Sequence, residues 1–183
     1  MSKARNAKGK LGSVAWRRAW WPVVRTLAVF VLIAGIWFWS IPQPFMRANV
    51  WDPFTQLVTG TVGLVFRIFG SDVAASGTSL TVNGTTLQIE FGCNGLEAHG
   101  LFIAAILAVP MPWLRKSRAL LLGSFGIFVL NLIRVCGLFI VARLDRQMFE
   151  FSHMVVGQTL VIVATMAMLL WFCRERDAKT VGP

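Results

Sequence analysis

The sequence predicts an all-α polytopic membrane protein with about four transmembrane helices, an outer interfacial amphipathic helix and a small β-hairpin. Hydrophobic residues make up 56% of the 183 residues and charged residues only 14%, outside the range of ordinary soluble domains. The mean hydropathy is +0.65. Four apolar stretches approach the roughly 20 residues that cross a bilayer as a helix. Asn83-Gly84 separates two short runs of alternating residues, which is typical of a hairpin.

The four apolar stretches cover residues 23–39, 96–113, 119–141 and 154–172. The first follows a basic tail and resembles a signal peptide, but no small-residue cleavage site follows it, so we predict an uncleaved signal anchor. Tryptophans lie near the predicted span ends, where an indole places its ring in the apolar layer and its N–H toward water. These residues are Trp20, Trp21, Trp37, Trp39, Trp113 and Trp171.

Positive charge predicts the orientation of the chain in the membrane. With both termini in the cytoplasm, the inner segments hold thirteen of the 18 Lys and Arg residues, as the positive-inside rule requires. The net charge of +10 then reflects topology and attraction to anionic lipid, and no nucleic-acid partner is predicted. We divide this single membrane-embedded domain into a basic cytoplasmic tail (1–22), an extracytoplasmic helix and hairpin (40–92), a helical core (93–172) and a cytoplasmic tail (173–183).

The outer segment begins irregularly, because Pro42, Pro44 and Pro53 interrupt regular structure. Residues 54–69 then carry apolar side chains at helical spacing, which predicts an amphipathic helix in the outer interface of the membrane. If this helix crossed the bilayer, everything downstream would invert, so we disfavour that alternative. The predicted apolar face comprises Phe54, Leu57, Val58, Thr61, Val62, Val65, Ile68 and Phe69, and Thr55, Gln56, Thr59 and Arg67 lie mostly elsewhere.

A loop over residues 70–77 leads to the hairpin, whose runs are 78–82 and 85–91. Asn83-Gly84 tolerates the positive φ angles of a type I′ turn, and the pair explains this stretch better than a glycosylation acceptor does. The turn pairs Val82 with Thr85. One face of the hairpin then holds Leu80, Val82, Leu87, Ile89 and Phe91, and the other holds Thr81, Thr86, Gln88 and Glu90.

Cys93 follows the hairpin, at or just before the amino end of the second span. Unpaired backbone N–H groups and the helix dipole favour an anion there, so we expect a lowered thiol pKa and a nucleophilic sulfur. Gly92 and Gly95 would let a peptide backbone approach closely. The alternative is a small buried cysteine without a task, an interpretation that suits Cys136 and Cys173. No Cys-x-x-Cys pair indicates a disulfide framework or a thiol oxidoreductase.

Arg134 lies in the outer half of the third predicted span, about 22 Å from its inner end. An arginine at such a depth costs at least about 2.5 kcal/mol and usually faces the protein interior or an aqueous cavity, although it can also reach to the outer headgroups. Asn131 shares its helix face and could hold the guanidinium in place. A fixed guanidinium can stabilise a thiolate or an oxyanion.

His153 precedes the fourth span, and Gly157 one turn later leaves room for a neighbour. Its imidazole can act as general base and acid near neutral pH, or it can be an interfacial histidine without a task. His99 could replace it as the base, and Glu97 could orient a histidine. Zinc could use Cys93 with both histidines, but no ligand-pair spacing supports a metal, and no cofactor is predicted.

Three segments together resemble the signatures of the exosortase/archaeosortase transpeptidases: residues 91–96 (Phe-Gly-Cys-Asn-Gly-Leu), residues 131–135 (Asn-Leu-Ile-Arg-Val), and His153 with Gly157. The resemblance covers roughly residues 54–171 and includes the preceding helix and strand pair. Asn94 stands where many members have Ser, which leaves the nucleophile intact. In its length and its Cys-Asn-Gly-Leu-Glu stretch the chain is most similar to the exosortase H branch.

The resemblance implies a multi-pass enzyme of the bacterial cytoplasmic membrane. Its partners would be exported proteins that end in a short motif, a transmembrane helix and a basic tail. The motif is Pro-Glu-Pro in most of the family and of an Ile-Pro-Thr-Leu type for the H branch. By analogy with soluble sortases, Cys93 would form a thioester, His153 would protonate the departing amine, and Arg134 would stabilise negative charge. An acceptor amine or water would then release the acyl group.

A different class of function also fits the sequence. In this alternative the chain is a non-catalytic component of envelope assembly or transport, Arg134 lines a polar path, and Cys93 is incidental. The two hypotheses differ in one structural expectation. The enzyme requires a sulfur, an imidazole and a guanidinium that converge at one membrane face.

Overall fold

The structure is a computed structural model that describes residues 2–90, 92–144, 148–149 and 152–174, with side chains from residue 20 onward apart from 154, 156 and 158. Its helices are α1 (Ser2–Ser40), α2 (Pro44–Met46), α3 (Asp52–Ile68), α4 (Leu96–Ala108), α5 (Trp113–Leu144) and α6 (Gly157–Arg174). Single π-helical turns, Arg47–Trp51 and Ser152–Val156, precede α3 and α6. The strands are β1 (Val73–Ser76), β2 (Ser79–Val82) and β3 (Thr85–Gln88).

Two helical segments in the described part of the chain are long and apolar enough to cross a membrane, Trp20–Ser40 within α1 and Trp113–Leu144. The apolar helices Leu96–Ala108 and Thr159–Arg174 are shorter. The prediction of a second helix over 96–113 was therefore too long. The helix ends at Ala108 because Val109 is extended before Pro110, where proline disfavours helical backbone.

Helix α5 begins before the predicted third span, so its first turns contain the basic cluster 115–118. This extension has a structural role. Lys116 Nζ donates a hydrogen bond to the Leu107 carbonyl oxygen at 2.6 Å. A lysine placed in this way satisfies a free carbonyl at the carboxyl end of α4 and complements its dipole.

The predicted interfacial tryptophans are exposed in five cases: Trp20, Trp21, Trp39, Trp113 and Trp171. Trp37 is the exception. Its ring packs edge-on against Trp51 with ring centroids 5.3 Å apart. Gly100 of α4 lies directly against the Trp37 indole, and a side chain there would overlap the ring. Trp37 therefore packs α1 against α4 and does not sit in the interfacial belt.

The predicted helix over 54–69 is confirmed as α3, and the face that packs against the rest of the protein includes two threonines. Thr55 and Thr59 are buried, whereas Leu57 and Ile68 are 57% and 72% exposed. Thr55 Oγ1 donates to the Trp51 carbonyl oxygen at 2.7 Å, and Thr59 Oγ1 donates to the Thr55 carbonyl oxygen at 2.8 Å. Because these hydroxyls are satisfied within the helix, they can be buried at little cost. The exposed leucine side is suited to lipid contact.

The hairpin and its register are confirmed. Val82 pairs with Thr85, and the turn residues Asn83 and Gly84 have φ angles of 48° and 82°. The segment predicted as the loop 70–77 instead contains the strand β1, which pairs antiparallel with β2. Its short sequence of small residues carries no alternation that would predict a strand. Phe91, assigned to the apolar face, lies outside the described residues.

The apolar face of the sheet packs on α3 and α5 to form one core of the molecule. Its buried residues are Val58, Val62, Leu80, Val82, Ile89, Val135 and Phe139. A second core joins α4, α5 and α6 through Phe102, Ile106, Ala119 and Ile127. The segment that follows β3 thus packs against α5 and then continues into α4.

Candidate active site

The side chains of Cys93 and His153 meet although 60 positions separate them in the chain. Cys93 Sγ lies 3.4 Å from Nδ1 and 3.4 Å from Nε2 of His153. These equal distances place the sulfur over the face of the imidazole and not in the plane of its ring. Proton transfer between the two groups would require the ring to turn so that one nitrogen points at the thiol.

Neighbouring groups orient the His153 ring. The Phe149 ring stacks on it with centroids 5.8 Å apart and an interplanar angle of 16°. His153 itself lies in the π-helical turn that precedes α6. Such single π-helical turns within helical segments are frequent at functional sites. The Phe149 ring thus packs nearly parallel to the imidazole that contacts Cys93.

Arg134 faces the protein interior, as one of the two sequence alternatives required. It is 7% exposed, and its Nη1 donates to the Gly92 carbonyl oxygen at 3.3 Å. The room predicted at Gly157 is occupied by this same arginine, since a Cβ on Gly157 would lie 2.6 Å from Arg134 Nε. The guanidinium is thus placed between α6 and Gly92, the residue that precedes Cys93.

Asn131 holds the backbone at Cys93 rather than the guanidinium. Its Nδ2 donates to the Cys93 carbonyl oxygen at 3.1 Å. Gly95 has a φ of +80°, and a Cβ there would lie 2.9 Å from Asn131 Cγ. Glycine therefore meets two requirements at this position, a left-handed backbone and close approach to α5. We expected Asn131 to hold Arg134 directly, but its amide donates instead to the backbone of Cys93.

Asn94 fixes the other side of the same segment. Its Oδ1 accepts the Leu96 backbone N–H at 3.1 Å, which caps the start of α4. Its Nδ2 donates to Thr55 Oγ1 of α3 at 2.9 Å. The side chain is 1% exposed. A residue one position from the nucleophile thus ties α3 to α4.

His99 and Glu97 do not meet Cys93 as the sequence allowed. The two ring nitrogens of His99 lie 2.9 Å and 3.0 Å from the carbonyl oxygens of Gly95 and Ser124. A histidine engaged in this way packs α4 against α5 and is not available as the base. Among the described residues, no hydrogen bond or ion pair joins Glu97 to either histidine.

A cavity of about 420 Å³ adjoins the nucleophile segment, a volume within the range of ligand sites. It opens between the irregular entry to α3, the amino end of α3 and the end of the hairpin. Its polar and charged lining includes Arg47, Asp52, Gln88, Glu90 and Asn94. This cavity, which reaches Asn94 beside Cys93, is therefore polar on several sides.

Comparison with known families adds a decisive observation. The model of the family described as Transmembrane exosortase (Exosortase_EpsH) matches residues 11–172, which is most of the chain. The chain belongs to the transmembrane exosortase family. No curated protein sequence and no solved structure gives a significant match. The matched region contains all of the residues that the structure brings together around Cys93.

Burial sets the electrostatics of this exosortase site. It raises the pKa of the Cys93 thiol above its usual range, and the charge of Arg134 lowers it by less, while Glu90 and Glu97 raise it further. Burial also lowers the pKa of His153, Arg134 lowers it further, and Glu90 opposes both. The expectation of a lowered thiol pKa was wrong, because desolvation of the sulfur outweighs the nearby positive charge. At neutral pH the resting pair is a thiol and a neutral imidazole.

Two residues of the exosortase site were not predicted from the sequence. Phe149 lies four positions before His153, but nothing in the sequence indicates that it stacks on the ring. Glu90 was assigned only to the polar face of the hairpin, and its charge reaches both Cys93 and His153. Its position three residues before the cysteine, at the end of a strand, was the available signal.

Proposed function

We propose that this protein is a cysteine transpeptidase or protease that cleaves the C-terminal sorting signals of exported proteins and transfers them to an acceptor. The observation that carries the proposal is the approach of Cys93 Sγ to within 3.4 Å of both His153 nitrogens. Arg134 lies beside the pair and bonds the adjacent Gly92 carbonyl. A thiol, a base and a cation in this arrangement are what acyl transfer through a thioester requires.

The chemistry begins from the neutral pair. His153 removes the thiol proton as Cys93 Sγ attacks the scissile carbonyl carbon, and the carbonyl oxygen becomes an oxyanion. The tetrahedral intermediate then collapses, the C–N bond breaks, and the imidazolium gives its proton to the departing amine. An acceptor amine or water attacks the thioester, His153 accepts its proton, and the cysteine thiol is regenerated.

Arg134 is suited to the charge that develops in these steps. The Nε–H of its guanidinium is buried and has no hydrogen-bond partner among the described residues. A fixed cation in a water-poor site stabilises an oxyanion far better than the same group does in water. Because the arginine is nearly inaccessible and holds Gly92, its surroundings favour this role over lining a polar path for transport.

The membrane arrangement is part of the proposal. We infer four spans with both termini in the cytoplasm, formed by α1, α4, α5 and α6, and an active site that faces outward from the bacterial cytoplasmic membrane. The 13 residues of α4 extend only about 20 Å, so residues that flank this helix would have to complete its crossing of the roughly 30 Å hydrocarbon layer. The basic clusters at 115–118 and in the carboxyl-terminal tail support this orientation through the positive-inside rule.

The experiment that tests the function is co-expression with an exported protein from the same genome that ends in a motif, an apolar helix and a basic tail. We expect the wild type to process this protein, and Cys93→Ala, His153→Ala and Arg134→Ala to leave it unprocessed. A thioester between Cys93 and the truncated substrate, identified by mass, would establish the nucleophile. Normal processing by all three variants would refute the enzyme and favour the assembly or transport alternative.

A further inference from the structure

Strand β3 forms an open edge of the sheet. The strand order is β1-β2-β3, and β3 pairs only with β2. In a hairpin closed by a two-residue turn, the pair next to the turn exchanges two main-chain hydrogen bonds, and so does every second pair after it. In β3 the residues that bond β2 in this way are therefore Thr85 and Leu87. A further bond agrees with this alternation, since the Ile89 N–H donates to the Thr78 carbonyl oxygen at 2.8 Å.

The main-chain groups of the alternate residues of β3 point away from β2. The N–H and C=O of Thr86 and Gln88 face the open edge, and both residues are exposed. In the part of the chain that the structure describes, no hydrogen bond uses these four groups. The opposite edge of the sheet is partly blocked, because Arg67 Nη2 donates to the Val73 carbonyl oxygen at 3.2 Å. Proteins usually protect an open edge with charge or proline, and β3 contains neither.

This edge leads directly to the nucleophile. The Cys93 N–H donates to the Glu90 carbonyl oxygen at 3.0 Å, and this turn places Cys93 beside the end of the edge. On the inner side, Asn131 and Arg134 hold the carbonyl groups of Cys93 and Gly92. The segment that carries Cys93 is therefore anchored to α5 through these two carbonyl groups.

We propose that the open edge of β3 binds the scissile segment of the substrate as an added strand, through main-chain hydrogen bonds with Thr86 and Gln88. This inference rests on the proposed function and names how that site receives its peptide. Strand addition gives affinity through the backbone and leaves alternate side chains to specify the sequence. The 420 Å³ cavity shares Gln88 and Glu90 with the edge, so it is placed to receive one of those side chains.

The test uses the full-length Cys93→Ala protein in detergent and a synthetic peptide that carries an Ile-Pro-Thr-Leu motif. Amide hydrogen exchange is followed residue by residue by nuclear magnetic resonance. We expect saturating peptide to slow exchange at Thr86 and Gln88 by at least about tenfold, as a new main-chain hydrogen bond would. Exchange at Thr85 and Leu87, which already bond β2, should change little.

A pair of variants tests the same edge from the protein side. Gln88→Pro removes one outward N–H at a position where an edge strand tolerates proline, and Gln88→Ala keeps it. We expect the proline variant to bind the peptide about tenfold more weakly than the alanine variant. Equal affinities, saturable binding without protection of Thr86 and Gln88, or no binding at all would each overturn strand addition.

The outcomes separate this inference from the proposed function. If the peptide protects Thr86 and Gln88 but the wild type never cleaves it, strand addition at β3 is supported and the transpeptidase function is refuted. Cleavage by the wild type without protection of these amides would keep the transpeptidase and remove the edge site.

Discussion

Replacing Gly157 by alanine is expected to slow processing without removing any side chain that takes part in the chemistry. The added carbon would lie 2.6 Å from Arg134 Nε and 3.1 Å from the Ser152 carbonyl oxygen, whereas ordinary contact begins at 3.4 Å. The guanidinium must then retreat by about 0.8 Å to restore contact distance. Its bond to the Gly92 carbonyl is already 3.3 Å long, so a shift of that size breaks it.

Two independent considerations give the size of the expected loss in processing rate. A displacement near 1 Å of a positioned group lowers a rate by up to about 100-fold. Loss of one charge-assisted hydrogen bond costs about 1.5–3 kcal/mol. We therefore expect the Gly157→Ala enzyme to process its substrate roughly 10- to 100-fold more slowly.

The assay measures the rate of appearance of the truncated substrate in membranes that contain equal amounts of each enzyme. Gly137→Ala is the matched control, because it lies on α5 near Arg134 and a Cβ there meets nothing within 4 Å. We expect this control to keep its activity and to gain up to about 1 kcal/mol in helix propensity. A folded Gly157→Ala enzyme with the activity of the control would refute the role assigned to the Arg134 position.

Three further predictions concern protons and capping. Because the pKa of His153 is lowered from 6.5, a pH–rate profile of processing should fall on the acidic side with its midpoint below pH 6.5. Because the pKa of Cys93 is raised from 9.0, ionisation of the thiol should not contribute near neutral pH. Arg134→Gln removes a charge that lowers the Cys93 pKa, so alkylation of this thiol by iodoacetamide at a fixed alkaline pH should slow. An unchanged alkylation rate would contradict the electrostatic effect of Arg134 on Cys93. Asn94→Ala should destabilise the protein by about 1–2 kcal/mol in thermal unfolding, and Asn94→Ser should cost less because a serine can still cap Leu96.

The hairpin was predictable in detail because its signals are local. The type I′ turn at Asn83-Gly84 requires two positive φ angles, and this requirement fixes the pairing of Val82 with Thr85. The family was also predictable, since the residues around Cys93, Arg134 and His153 form a specific set. The family match over residues 11–172 confirms that prediction.

Features that depend on packing were not predictable. The burial of Thr55 and Thr59 was not indicated by hydropathy, because these threonines satisfy their own hydroxyls within α3. The direction of the Cys93 pKa was wrong because the sequence indicates a nearby helix end but not how deeply the sulfur is covered. His99 and His153 were indistinguishable as the base until the structure placed His99 against two backbone carbonyls. Catalytic roles for the assembled residues stay predictions.

The raised pKa of the Cys93 thiol has a consequence for the proposed enzyme, whose active site we infer to face outward. Peroxides and disulfides attack the thiolate rather than the thiol, so a sulfur that ionises only when His153 takes its proton during attack is protected between turnovers. The bacterial periplasm is kept oxidising. Shielding the sulfur from water thus lowers the fraction of thiolate at rest, and in an outward-facing site this would slow the oxidation that an exposed thiolate undergoes.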